Sequence, residues 1–537
     1  MRFHIDELAY RYPSRRSVVY GRRGMVCTAS HLAAQAGLDI LKQGGNAVDA
    51  AIATAIALTV IEPVSNGLGS DAFALVWLKD HLYGLNGSGF APEAISADKV
   101  KALGHTAMPR RGWIPVTVPG APAAWAALSD RFGRLPFAVL FEPAISYAKE
   151  GYPVSPVVAS TWKKELEELS PHKDDPAFAG WFATFLSDGK PPRAGDMVKL
   201  PDHAGTLERL RQSRCESFYR GDIADAIDAF SRKTGGFLRK EDLAAYHPSW
   251  VEPIHVDYRG YDVWELPPNG HGLVALMALN ILKGFEFPER DSVMTLHRQF
   301  EAMKLAFADG QTYITDPKDM AVTTEELLSA SYGEKRRKEI GKTAMLPHAG
   351  DPRSGDTVYL CTADGEGNMV SYIQSNYCQF GSGIVIPKTG IALQNRGANF
   401  NLDLHHANCL MPRKKTYHTI IPGFLTRKGE AIGPFGVMGG FMQPQGHVQT
   451  LMNRIDFAMN PQEALDAPRW QWLGGKTFEV ERGIPAHLVE VLRAMGHDIR
   501  IVDDMTEYGR GEIIQRSRNG ILMGATEPRA DGTVAAW

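Results

Sequence analysis

Apolar positions recur at helical spacing over residues 31–43. Leu32, Ala36, Leu38, Ile40 and Leu41 carry the pattern, Ser30 stands before it and Gly44-Gly45 behind. A hydroxyl residue ahead of such a run and glycine past it mark the two ends of a helix. Residues 47–58 are apolar nearly all round, which predicts a helix covered on every side. The apolar stretch reaches Ile61, contains Asp49 and stops at Glu62-Pro63. That is too short to cross a bilayer. Residues 73–77 (Phe-Ala-Leu-Val-Trp) and 114–118 read as strands. Helical patterns return at 121–128, 137–149 and 298–307, and a last helix is expected at 487–495, ahead of Gly496. Between 351 and 400 the chain turns β-rich, with strand-formers bunched at 357–362, 369–374 and 391–393. The most polar stretch, 163–193, reads as a surface excursion.

Composition adds bounds. The 537 residues hold 58 Lys plus Arg against 61 Asp plus Glu, a net charge of −3. That balance argues against a nucleic-acid binder, which normally carries a basic surplus. With 44% hydrophobic and 22% charged residues the chain can build a large core. Length would permit about two to four domains. No repeat or low-complexity linker divides the chain, so one large α/β or α+β body is expected. Five cysteines, Cys27, Cys215, Cys361, Cys378 and Cys409, are an odd number without C-x-x-C spacing. They fit a reducing compartment rather than a disulfide scaffold or a zinc module. No apolar segment follows the charged N-terminus, so no secretory signal is read and a soluble cytoplasmic protein, without membrane or nucleic-acid partners, is expected.

Common catalytic signatures are absent: no G-x-S-x-G, no H-E-x-x-H, no G-x-x-x-x-G-K-[ST]. Gly67-Leu-Gly69-Ser-Asp-Ala72 loosely matches a dinucleotide fingerprint. The expected order, helix before and strand after, is the reverse of what that motif needs. His405-His406 has no third ligand at helical spacing and reads as a loop pair. Gly381-Ser-Gly383 and Met438-Gly439-Gly440-Phe441 are glycine turns beside β runs. Glycine lets a backbone approach a ligand closely, and a pair of free N–H groups is what an oxyanion needs; a plain turn or bulge fits the residues equally. Gly355-Asp356-Thr357-Val358-Tyr359 contains a threonine that β-propensity alone makes an ordinary strand residue. A threonine hydroxyl becomes a useful nucleophile when its own freed α-amine serves as base.

Several segments in order change that reading. They include Gly44-Gly-Asn-Ala-Val-Asp-Ala-Ala51, Val116-Thr-Val-Pro-Gly120, Gly236-Phe-Leu-Arg-Lys-Glu-Asp-Leu-Ala-Ala-Tyr246 and Asp364-Gly-Glu-Gly-Asn368. Phe380-Gly-Ser-Gly-Ile384, Gly439-Gly440, Ala467-Pro-Arg469 and Gly524-Ala-Thr-Glu-Pro-Arg529 follow. Through them the chain resembles the gamma-glutamyltransferase (gamma-glutamyltranspeptidase, glutathione hydrolase) family, closest to its bacterial gamma-glutamyltransferase-like branch. The resemblance covers almost the whole length. It implies an α+β fold, the four-layer αββα sandwich of N-terminal-nucleophile hydrolases. It further implies self-cleavage between Asp356 and Thr357 into segments 1–356 and 357–537, which stay together as a heterodimer and admit a higher oligomer. Thr357 would be the nucleophile and its amine the base. Ser375 matches the family's second threonine, and Gly439 and Gly440 match the oxyanion glycines. No cofactor or metal is implied. The implied substrate is a small gamma-glutamyl or related amide, its acyl group passed to water or an amine.

The departures gather in the substrate pocket. Where the family places an arginine on the glutamate carboxylate, Ser88 stands, and a serine does not replace a guanidinium fork. The acid for the α-amino group falls on Asn399. The paired serines fall on His418-Thr419. A usual asparagine falls on Tyr377, although Asn376 is adjacent. Glutaryl or other dicarboxylic amides, as in the related cephalosporin acylases, are therefore an alternative to gamma-glutamyl ones, with Arg396 or His418 as a replacement carboxylate clamp. A non-catalytic protein that kept the fold is the remaining alternative. The segment 400–412 looks short for a lid, so a more open site is expected.

Overall fold

Strand Asp71–Leu78 sends alternate side chains into two different cores. Ala72, Ala74 and Val76 join a cluster rich in helical residues, while Phe73, Leu75 and Trp77 join a second one. Strand Asp356–Asp364 behaves the same way, with Val358 and Leu360 on one side and Tyr359, Cys361 and Ala363 on the other. Successive strand side chains point to opposite faces, so such strands need a layer above and a layer below. The structure, a computed structural model, describes residues 16–347, 356–504 and 507–537.

On one face lie helix His31–Lys42 and helix Ala47–Ile61, the latter buried at every position and capped by Asn46. On the other face lies a second sheet, whose Phe424, Met438, Ile514 and Leu522 share the inter-sheet core with Phe73 and Tyr359. That sheet's outer side, at Val263, Phe435 and Ile513, packs on helices Gly272–Leu282, Val293–Tyr313 and Met442–Ile455. The result is the expected αββα sandwich. Among the described residues each of these two sheets has seven strands, all paired antiparallel, and two smaller sheets of three and two strands lie outside them. In the first sheet the order runs Thr533–Ala536, Gly24–Thr28, Asp356–Asp364, Met369–Tyr377, Asp71–Leu78, His81–Gly87, Ser249–Val251.

Three sequence expectations need correction. Residues 114–118 form no strand: Val116 and Val118 are buried, but the segment makes scattered bonds rather than a ladder, Val118 N–H to Phe90 O at 3.1 Å, Gly397 N–H to Pro115 O at 2.8 Å and Gln394 Nε2 to Thr117 O at 2.9 Å. Residues 391–393 make isolated bridges, Val385 to Ala392 and Gly69 to Leu393. The polar stretch 163–193 is not a surface excursion. Helices Pro156–Leu169 and Ala179–Phe185 turn Lys163, Lys164 and Glu167 outward and drive Trp162, Trp181 and Phe185 into the core. There Phe185 meets Phe380 with ring centroids 4.5 Å apart. The five cysteines are buried and unpaired. No helix among the described residues is long and apolar enough to cross a membrane.

Helix Val293–Tyr313 carries His297, Glu301 and Lys304 on one buried face. Lys304 Nζ lies 2.5 Å from Glu301 Oε1 and donates to Met345 O at 2.7 Å. His297 Nδ1 and His497 Nε2 are 2.9 Å apart beside them. His297, Glu301 and His497 form the one group among the described residues spaced to hold a metal, and the Lys304 ammonium already sits on its carboxylate. Lys304→Met strands a buried carboxylate and is expected to cost about 3–5 kcal/mol. Thermal unfolding should show the loss, and the double variant Lys304→Met/Glu301→Gln should recover most of it.

Candidate active site

Asp71, Thr357 and Ser375 share one end of the first sheet and point into the inter-sheet layer. Asp71 pairs with Ser375 across neighbouring strands. On the other side Asp356 pairs with Tyr377 and Val358 with Gln374, so the register slips by one residue at Thr357. Such a bulge re-aims a side chain. Thr357 Oγ1 donates to Ser375 Oγ at 3.0 Å, and Tyr377 N–H donates to the same oxygen at 2.8 Å. Asn376 turns away, its Oδ1 accepting from Ser70 Oγ at 2.9 Å. The position beside the pocket therefore belongs to Tyr377.

The second sheet brings the glycines. Strand Glu430–Met438 runs into Gly439 and Gly440, with φ of 131° and 55°, and then into helix Met442–Ile455. Side chains rarely adopt such φ values, and glycine adopts them freely. Gln443 ties this turn to Thr357. Its N–H donates to Gly440 O at 3.2 Å and its side-chain Nε2 donates to Thr357 Oγ1 at 3.4 Å, while its Oε1 accepts from Ile421 N–H at 2.9 Å. Sequence reasoning missed Gln443; its place in the first turn after the glycine pair was the available signal.

Behind Tyr377 lies a buried polar cluster centred on Asp71, also missed, although it sits in the Gly67–Ala72 stretch read for its glycines. Arg396 Nε donates to Asp71 Oδ2 at 3.3 Å, and Arg396 Nη1 donates to Thr419 Oγ1 at 2.5 Å. Ile420 N–H donates to His418 Nδ1 at 3.4 Å, so Nε2 carries the proton and donates to Asp71 Oδ2 at 2.9 Å. The Arg396 guanidinium lies 4.7 Å from the Tyr377 ring centre, and its Nη2 has no partner among the described residues. Ser88 Oγ donates to Asn86 Oδ1 at 2.6 Å, and Asn269 links this corner to His418, whose N–H it accepts at 2.9 Å. Asp71, Arg396 and His418 are fully buried. Burial pushes Asp71 up to about 7 against the pull of Arg396. Burial pushes His418 well down, which leaves it neutral, and lowers Arg396 against the pull of Asp71.

Asn399 ends the short turn Arg396–Asn399 and donates to Tyr417 O at 3.2 Å. With Tyr377, Phe400, Asn408, Tyr417 and Phe441 it lines a cleft of about 310 Å³. Thus Ser88, Arg396, His418 and Thr419 form the back of the site, and Tyr377 and Asn399 its mouth. The expected openness does not extend to Thr357 and Ser375, which are fully buried. Segment 400–412 folds back instead, held by Asn408 Nδ2 to Asn399 O at 2.7 Å. His405 and His406 lie in that segment and belong to no metal-capable group among the described residues.

Two sheets stacked between helical layers make the architecture of the N-terminal-nucleophile hydrolases. The chain belongs to the gamma-glutamyltranspeptidase family, whose profile, described as Gamma-glutamyltranspeptidase, matches residues 33–537. A crystal structure of cephalosporin acylase from Bacillus halodurans superposes with a TM-score of 0.97 at 59% identity, over 100% of this chain and 99% of that one. The Glutathione hydrolase-like YwrD proenzyme of Bacillus subtilis (strain 168) is 36% identical over 96% of this chain and 98% of its own length. The Oxamate amidohydrolase proenzyme of Klebsiella pneumoniae is 34% identical over 96% and 98%.

Asp71 makes folding pH-dependent. Its carboxyl holds a proton to about pH 7 when folded and to about pH 3.9 when unfolded. Between those values the folded state binds more protons, so this contribution to stability falls as pH rises from about 4 to about 7 and is level above. Asp71→Asn should remove that slope when melting temperature is followed against pH and compared with the parent chain.

Proposed function

We propose that this chain is a self-processing N-terminal-threonine amidohydrolase that carries its acyl group on Thr357 and prefers acyl groups bearing a carboxylate but no ammonium. Glutaryl-type amides then rank ahead of gamma-glutamyl ones. The contact of Thr357 Oγ1 with Ser375 Oγ at 3.0 Å carries the reading. An in-chain threonine has no free amine, so processing comes first. Thr357 Oγ attacks the Asp356 carbonyl carbon, the C–N bond breaks, and the nitrogen takes the hydroxyl proton. Water then cleaves the ester, leaving a carboxylate on Asp356 and a free amine on Thr357. Segments 1–356 and 357–537 remain one body because their strands interleave: Gly24–Thr28 lies between Thr533–Ala536 and Asp356–Asp364.

In turnover the freed amine has an ordinary pKa of about 7.7–8.0 and accepts the Thr357 hydroxyl proton. The oxygen attacks the substrate amide carbon, the leaving amine takes the proton, and an ester forms. Water or an amine releases it. The N–H groups of Gly439 and Gly440 stabilise the oxyanion. Specificity follows charge. Arg396 is the buried cation behind Tyr377, while the neutral Asn399 offers an ammonium group no charge partner. The likeness to a cephalosporin acylase structure supports the same reading.

Denaturing electrophoresis of purified protein should show two bands of about two-thirds and one-third of the mass, and Thr357→Ala one inactive band. A lasting single band in the parent chain, or full activity in Thr357→Ala, would sink the proposal. The specificity claim is checked separately with glutaryl- and gamma-glutamyl-p-nitroanilide. The parent should favour the glutaryl compound in kcat/KM, and Asn399→Asp should move the ratio toward the gamma-glutamyl compound by roughly tenfold, as restoring a charge partner does. An unmoved ratio assigns the selection elsewhere.

A further inference from the structure

The Ala467-Pro-Arg469 and Gly524-Ala-Thr-Glu-Pro-Arg529 segments are among those that carry the family resemblance. In the structure they meet. Arg469 Nη2 donates to Glu527 Oε2 at 2.7 Å, Arg529 Nη1 donates to Glu527 Oε1 at 2.6 Å, and Arg529 Nε and Nη2 donate to the two oxygens of Glu481 at 2.6 Å each. Glu481 also accepts the Arg469 N–H at 2.6 Å. Two arginines and two glutamates, all buried, therefore cancel one another. Burial alone would raise Glu527, but Arg469 and Arg529 outweigh it and keep the carboxylate ionised.

Well-packed apolar residues commonly stabilise a core as well as such a quartet does, so stability is a poor reason for it. Its backbone contacts supply a better one. Arg469 Nη1 donates to Tyr508 O and to Gly509 O, both at 2.9 Å, and Glu527 Oε2 accepts from Gly511 N–H at 2.7 Å. The stretch 508–511 is gripped at three backbone atoms. Gly509, at φ 75°, lies bare against the strand end that leads into the glycine turn. A Cβ on Gly509 would stand 2.5 Å from Met438 O, and a Cβ on Gly439 would stand 3.0 Å from Gly509 Cα. Arg510 pairs with Met438 in the sheet. Backbone touches backbone with no side chain between, so a shift of 508–511 is passed directly to Gly439.

We propose that Arg469 and Glu527 are positioning residues that set the Gly439–Gly440 turn through the 508–511 backbone. This rests on the reading of that turn as the oxyanion site. Oxyanion donors act within a few tenths of an ångström of 2.9 Å, and misplacing a reacting group by about an ångström can cost 100-fold.

The test uses the processed enzyme, the two anilides and three single variants: Gly439→Ala, Arg469→Lys and Gly509→Ala, the last disturbing the same contact without touching a charge. Arg469→Lys and Gly509→Ala should each lower kcat roughly tenfold or more with KM within about twofold, while the two-band pattern persists. The double variant Gly439→Ala/Arg469→Lys should lose no more than about twofold beyond Gly439→Ala, because residues acting through one another are not additive. Parental kcat in both Arg469→Lys and Gly509→Ala, or losses that multiply in the double variant, overturns the brace. Parental kcat in Gly439→Ala overturns the oxyanion reading instead. Should Arg469→Lys not fold, Gly509→Ala decides. A readout independent of substrate is hydrogen exchange at the Met442 amide, which donates to Gly439 O at 2.9 Å. Exchange should quicken in Gly509→Ala, and unchanged protection there counts against the brace.

Discussion

A strand covered on both faces has no solvent side on which to leave a polar group. Asp356–Asp364 is such a strand, with helices over Val358 and Leu360 and a second sheet over Tyr359 and Cys361. Side-chain alternation then places Thr357 in the inter-sheet layer, where an unpaired hydroxyl would be costly. The register slip at Thr357 presents Ser375 as its partner. The rest of the site forms around that requirement. One sheet contributes Asp71, Thr357 and Ser375, and the other contributes the glycine turn and, through the helix after it, Gln443.

The same interior explains the buried charges. Asp71 with Arg396, Glu301 with Lys304, and Glu527 with Arg469 and Arg529 are each withdrawn from water. An isolated charge in such surroundings is far more costly than a paired one. Two of them also fix backbone, Lys304 at Met345 O and Arg469 at Tyr508 O and Gly509 O, while the Asp71–Arg396 pair holds the side chains of His418 and Thr419. Directional hydrogen bonds hold positions that apolar packing would leave freer to shift.

Elements with strong local patterning were legible in the chain. The expected helix at 31–43 is His31–Lys42, the all-round apolar run is Ala47–Ile61, and the strands at 73–77 and 369–374 lie within Asp71–Leu78 and Met369–Tyr377. Residues 114–118 have a strand's composition, but their backbone bonds go to Phe90, Gly397 and the Gln394 side chain instead of to a neighbouring strand. The polar stretch 163–193 concealed its aromatic face because Trp162, Trp181 and Phe185 are spread across two helices. For the site, motif order pointed to Thr357, Ser375, Gly439 and Gly440. Asp71 and Gln443 stayed hidden, since a lone carboxylate or amide carries no signal until its partners are known. Arg396 was singled out as a carboxylate clamp, but its burial beneath Tyr377 and its bond to Asp71 could not be read from spacing.

By itself the sequence determined the alternation and periodicity that build four layers, and the family through its ordered segments. These are local or linear properties, set by neighbours along the chain. Only the tertiary structure decided which polar groups meet. The contacts of Asp71 with Arg396 and His418, of Gln443 with Thr357, and of Gly509 with Met438 and Gly439 join residues far apart in sequence. Hydrogen bonds and close contacts act over a few ångströms, and the separation of two residues along the chain does not fix their distance until both sheets are stacked.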